Sequence, residues 1–136
     1  MKNFYLVNAT TTSNSSDYTF AVTLNKEHRI YQGHFPQQPV VPGVCMIQMI
    51  RELAEQATGR TLMYSGISNI KFLSVVDPTI NSNLIIKLAL DHIEDGGYSV
   101  KASIELTDET FLSLKGNLSA IKTSSEIDFS AIDKVQ

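Results

Sequence analysis

The sequence predicts an α+β domain in which antiparallel strands wrap one central helix. Three observations carry that expectation: a single long helix-forming run, alternating apolar segments after it, and turn signals between those segments. A chain of 136 residues suits one domain with a sizeable core and is too short for two. Residues 1–136 are therefore expected to form a single domain, with "TSSEIDFSAIDKVQ", from about residue 123, as a poorly patterned tail.

Taken in order, "FYLV" (residues 4–7) and "YTFAVTLN" (18–25) read as a first hairpin, joined by a polar loop "NATTTSNSSD". From Val44 to Thr58 the chain has no Gly or Pro, is rich in helix formers, and lies between Pro42-Gly43 and Gly59. Its apolar positions Val44, Ile47, Met49, Ile50, Leu53, Ala54 and Ala57 exceed a narrow stripe, so the helix is expected to be enclosed. The second half supplies the wrapper. Residues 64–76 lead into a strand with Leu84, Ile86, Leu88 and Leu90 on one face, and "DGG" at 95–97 turns the chain. Tyr98, Val100, Ala102, Ile104 and Leu106 then alternate with polar residues, and "TDET" turns into a last strand carrying Leu112, Leu114, Leu118 and Ala120 on one side.

Charge and composition exclude several functions. With 11 Lys+Arg against 14 Asp+Glu the formal charge is −3, which gives no footprint for nucleic acid. No run approaches the roughly 20 apolar residues that span a bilayer, and the N-terminus lacks a signal-peptide core, so a soluble cytoplasmic protein is expected. One cysteine, Cys45, and three scattered histidines lack the paired spacing of a metal site; neither metal nor cofactor is expected.

The chemistry concentrates in "GHFPQQPVVPGVCMIQMIRELAEQATG", residues 33–59. Three prolines between His34 and Gly43 fix φ at their positions and lower the loop's entropy, so an imidazole can be held beside a helix N-terminus. That terminus offers unpaired N–H groups and the positive end of the helix dipole. A substrate oxygen that gathers negative charge would be stabilised there by the amides of Gly43 or Val44. His34 suits the base, because an unperturbed imidazole titrates at about 6.5.

The stretch "GHFPQQPVVPGVCMIQ" resembles the active-site loop and helix start of the 3-hydroxyacyl-acyl-carrier-protein dehydratases. His34, Phe35, Pro36, Pro39, Pro42, Gly43 and Val44 fall at that family's spacing, with Gln37 where a glycine is expected. Phe72 and Pro78 in "NIKFLSVVDPTINSNLIIKL" also match, with Thr79 in place of a turn glycine. The resemblance implies a hot-dog fold, a curled antiparallel sheet around one long helix, dimeric, with sites at the subunit interface. It further implies His34 as base, Phe35, Pro42, Gly43, Val44 and Phe72 around the substrate, and a thioester on acyl carrier protein phosphopantetheine or on coenzyme A. The partner subunit is either a second copy or a related hot-dog chain.

Counted from the histidine, the family's acid falls at Gln48, which has no acidic proton to give. Counted from "ELAEQATG", it falls at Glu52, four residues and about 6 Å of rise deeper. The loop-anchored register is preferred, because the helix cannot slip a turn without dragging the stiff loop; Gln48 and Glu52 are then expected to share a hydrogen bond at i, i+4. Three outcomes remain open: His34 performs both proton transfers with Gln48 positioning the leaving group, Glu52 reaches in through water, or the site binds acyl thioesters without turnover. Hot-dog thioesterase activity is a further alternative.

Other residues have plainer readings. His28 and His92 are expected as exposed bystanders, and Cys45 as a small packed hydrophobe in preference to an activated thiol. Met46 and Met49 suit core or dimer packing slightly better than an acyl tunnel, while Phe72 fits a channel wall or the core. Arg29, Arg51, Arg60 and Lys71 read as solvated surface more readily than as contacts for an acidic carrier protein.

Overall fold

Apolar alternation in the second half places one side chain in two on a common face, and in the computed structural model those faces line the inside of a six-stranded antiparallel sheet. The structure describes residues 1–32 and 38–121; the expected tail and residues 33–37, with His34 and Phe35, lie outside the described residues. The strands are β1 (Tyr5–Thr12), β2 (Asp17–Leu24), β3 (Leu62–Phe72), β4 (Asn83–His92), β5 (Tyr98–Leu106) and β6 (Glu109–Ala120), in the order β1-β2-β4-β5-β6-β3. The one α-helix described, α1 (Gly43–Thr58), joins β2 to β3 and so carries the chain from one end of the sheet to the opposite edge.

Cross-strand rows explain the core. Phe20, Ile86, Ile104 and Leu112 are register partners in sequence across four strands, and all are at most 0% exposed. Against them α1 buries Cys45, Met46, Met49, Ile50, Leu53 and Ala54. The helix ends where Gly59 adopts a left-handed conformation (φ 70°, ψ 15°), its N–H donating to Glu55 O at 2.8 Å. Register shifts at Tyr64/Gly66 and Ile67/Asn69 bend β3 around this end of the helix. Gly116 on β6 is required there: a Cβ would stand 2.5 Å from Gly66 O.

Two expectations need correction. The polar stretch after "FYLV" is not all loop, since β1 runs to Thr12 and only residues 13–16 form the turn. Its outer half faces solvent on both sides and so shows no alternation; the ladder to β2, with Thr10 opposite Phe20 and Thr12 opposite Tyr18, holds it extended. Nor does this single chain enclose the whole helix: Val44 is 74% exposed, and Ile47 and Ala57 are only partly buried. A strand that pairs on one side only, β3, leaves that flank open.

Replacing Leu53, fully buried between helix and sheet, by Ala should lower unfolding free energy in urea by about 2–5 kcal/mol without changing the far-ultraviolet spectrum.

Candidate active site

The site begins with a pinned backbone. Val41 is buried and its N–H donates to Val76 O at 2.9 Å, tying the end of the proline loop to the β3–β4 connection. Pro42 caps α1 with an extended backbone (φ −62°, ψ 143°), and its carbonyl accepts from Cys45 N at 3.0 Å and Met46 N at 3.3 Å. The amides of Gly43 and Val44 have no hydrogen-bond partner among the described residues, as helix geometry requires of the first turn. The ring of Phe72 lies over Gly43, with Cε1 and Cζ 2.7 and 2.8 Å from where a Cβ would stand. Pro42, Gly43, Val44 and Phe72 thus meet at one end of the helix.

One turn deeper stands Gln48, whose Nε2 donates to Glu52 Oε2 at 2.9 Å, the expected i, i+4 bond. Glu52 has two further partners that no local pattern announces. The N-terminal ammonium of Met1 pairs with Oε2, and Tyr5 Oη donates to Oε1 at 3.0 Å. Burial by itself would raise the Glu52 carboxyl, but the hydrogen bonds from the ammonium, Gln48 and Tyr5 outweigh it and hold the group below its ordinary value. Glu52 is therefore an ionised anchor between α1 and the N-terminal strand. Burial and the neighbouring Glu52 charge push the Tyr5 hydroxyl up, so it stays a donor.

The remaining polar groups along α1 are structural. Tyr64 Oη donates to Ile47 O at 2.8 Å, and Arg51 pairs with Glu55 at 3.0 Å while donating to Leu62 O at 3.1 Å. Glu55 in turn accepts from Leu62 N at 2.9 Å, so this pair fastens the start of β3 and Arg51 is not free surface. Cys45 is buried and its thiol pushed up by desolvation, which makes it a packed hydrophobe. Met46 and Met49 belong to the core.

His28 is more than a bystander: its Nδ1 accepts from Ile30 N at 3.1 Å and its Nε2 reaches Lys2 O at 3.1 Å, capping a 3-10 turn at Arg29–Tyr31. His92 is exposed, tilted against Tyr98. Sequence reading overlooked Tyr31. Its hydroxyl is buried with no partner among the described residues, and burial together with the nearby Cys45 thiol pushes it up to about 12. Asp77 stands in for the missing turn glycine beside Thr79: its Oδ1 accepts from Thr79 N and Oγ1 at 2.8 and 2.6 Å, and no positive φ is needed there.

A curled sheet around one helix, with a phenylalanine over the helix N-terminus at the end of a proline loop, defines the chain as a hot-dog protein. Solved structures share this fold: the dehydratase heterocomplex ApeI:P from Xenorhabdus doucetiae (TM-score 0.73, 23% identity, covering 88% of this chain and 99% of that one) and a putative thioesterase, yhdA, from Lactococcus lactis (0.63, 11%, 90% and 96%). The ApeI-like family model, described as ApeI dehydratase, matches residues 10–114, and the chain belongs to that family. Among curated proteins it is similar to 3-hydroxyacyl-acyl-carrier-protein dehydratase FabZ of a Thermoanaerobacter species, 30% identical over 95 residues, 65% of this chain and 64% of that protein. It is also similar to FabZ of Lactococcus lactis, 36% identical over 64 residues, 42% and 43% of the two chains. The matches thus span less than two thirds of these curated relatives.

The Glu52 anchor makes a signed prediction. A carboxyl held below its unfolded value, about 4.3, contributes stability that is complete above that value and lost as pH falls through the folded one, because the unfolded chain binds more protons in that window. Glu52→Gln should lower stability near neutral pH and flatten the acid limb of stability against pH, read by urea unfolding from pH 3 to 7. An unchanged acid limb contradicts the anchoring role.

Proposed function

We propose that the chain dehydrates 3-hydroxyacyl thioesters on acyl carrier protein to trans-2-enoyl thioesters, in fatty-acid or polyketide-like elongation. The observation that carries this reading is the amide-bearing start of α1, pinned through Val41 and roofed by Phe72. The thioester oxygen accepts from the Gly43 and Val44 amides, where charge develops as the α-proton leaves. His34, outside the described residues, takes that proton. The C–H electron pair becomes the new double bond, the C–O bond breaks, and the proton leaves with the hydroxyl as water. Gln48 positions the departing hydroxyl through its amide.

A second hot-dog subunit, a copy of this chain or a related one, completes the site in this reading. Its support is the open edge of β3 together with exposed Val44, Phe72, Leu73 and Val75 on the same flank. Acyl carrier protein is the substrate-bearing partner, with coenzyme A as the alternative carrier.

One observation favours a second reading, in which the chain is an acyl-thioester-binding subunit of a heterodimer. Gln48 lacks a carboxyl and Glu52 is ionised and engaged by three donors, so α1 offers no carboxyl proton to a leaving hydroxyl. That the Xenorhabdus ApeI:P dehydratase is a heterocomplex is consistent with it. Thioester hydrolysis needs a carboxylate free to activate water; Gln48 has none and the Glu52 oxygens are held by three donors, so hydrolysis is disfavoured.

Turnover of a 3-hydroxyacyl carrier-protein substrate separates these readings. Enoyl product from wild type, abolished at least a hundredfold in His34→Ala, supports dehydration. A silent wild type revived by Gln48→Glu supports the binding subunit, selective loss in Glu52→Gln overturns the loop-anchored register, and release of free acid indicates hydrolysis.

A further inference from the structure

The outer face of the sheet, opposite α1, carries a groove of about 430 Å³ in which four successive strands each present one lysine. These are Lys87 on β4, Lys101 on β5, Lys115 on β6 and Lys71 on β3. The register is specific. One row across the sheet reads Lys87, Ser103, Ser113, Lys71; the next reads Ala89, Lys101, Lys115, Asn69. With strands about 4.8 Å apart, three spacings put all four lysine stems within about 14 Å across the sheet. Small side chains floor the space between them, so the ammonium groups border a hollow instead of a packed surface.

Three features oppose the plainer view that these lysines only solubilise the face. Lys101 and Lys115 are direct cross-strand partners, an arrangement that repels and destabilises the pairing. They stand on interior strands, whereas lysines that guard a sheet against aggregation stand at its edges. Moreover, the chain has more acids than bases, yet among the described residues only Lys87 of the four has a carboxylate within salt-bridge distance, Glu105 at 3.3 Å. Glu105 also accepts from Ser103, so it neutralises one corner, and Asp17 at the far rim is held by Asn14 Nδ2 at 2.8 Å. The cationic share of the groove is the part bounded by Lys71, Lys101 and Lys115, with Ser113 and Asn69 as neutral hydrogen-bonding groups.

We infer that this outer groove is a binding site for a small polyphosphate anion, separate from the thioester site on the opposite face of the sheet. Point-charge ammonium groups with no fixed fork suit tetrahedral phosphates of varied spacing, and the volume falls in the range of small-ligand sites. The inference depends on the sheet alone and stands whether or not the chain is a dehydratase.

Isothermal titration of the full chain with inorganic tripolyphosphate and, separately, with ATP at low and high salt tests it. Expected are saturable binding with one anion per chain, at least a tenfold loss in Lys101→Gln/Lys115→Gln, a strong decrease with salt, and no loss in Lys26→Gln, which lies outside the groove. ATP tighter than tripolyphosphate adds a nucleoside contact; equal affinities assign the site to the phosphates alone. Because removing like charges should leave melting temperature unchanged or raised, the double variant remains interpretable, and protection of Lys101 and Lys115 from acetylation by tripolyphosphate in wild type gives a second reading. No saturable binding, equal loss in Lys26→Gln, or binding of polyglutamate with none of either phosphate overturns the inference.

Discussion

The packing of one face of α1 into the hollow of the sheet is the constraint from which the remaining features follow. Met49, Ile50, Leu53 and Ala54 are fully buried against rows contributed by β2, β4, β5 and β6, and a sheet must curl to cover a helix from so many strands. The bulges of β3 and the close approach of Gly116 to Gly66 are the local means of that curl. Because α1 is held along its length, its first turn is held as well, with Val41 and Pro42 before it. The amides of Gly43 and Val44, without a partner among the described residues, consequently have a fixed direction.

Along the same helix, polar side chains work as fasteners. Arg51 and Glu55 tie α1 to the start of β3, Tyr64 ties it from the strand side, and Glu52 gathers Gln48, Tyr5 and the Met1 ammonium. The environment of Glu52 stabilises its charged form, whereas a general acid needs an environment that favours the neutral form. A carboxyl at this depth is thus suited to holding the N-terminal strand against the helix. One turn nearer the loop, Gln48 offers an amide that forms hydrogen bonds and does not titrate.

The two faces of the sheet and the two edges of the molecule have different chemistry. Inside, the core is apolar apart from the tyrosines Tyr31 and Tyr98: among the described residues no charged, amide, serine or threonine side chain is buried. Outside, it carries hydroxyls and lysines at the alternate positions of the same strands. Beside the β3 edge, Val44, Phe72 and Val75 are exposed apolar side chains that no described strand covers.

The helix from Gly43 to Thr58 and the alternation of β4, β5 and β6 were legible because each rests on local spacing. The extent of β1 was not, since a two-sided solvent-facing strand has no apolar period to read. The Gln48–Glu52 bond could be anticipated because helical rise brings i and i+4 together. The partners that decide what Glu52 does, Met1 and Tyr5, are 51 and 47 residues away in the chain, and only the folding of β1 back over the helix brings them there. In the same way, four lysines scattered between residues 71 and 115 are isolated charges in the sequence, and strand register alone makes them neighbours. Sequence by itself determined the helix and the alternating strands, which depend on nearest neighbours; the tertiary structure decided which charges are paired, buried or gathered, because those depend on contacts between distant parts of the chain.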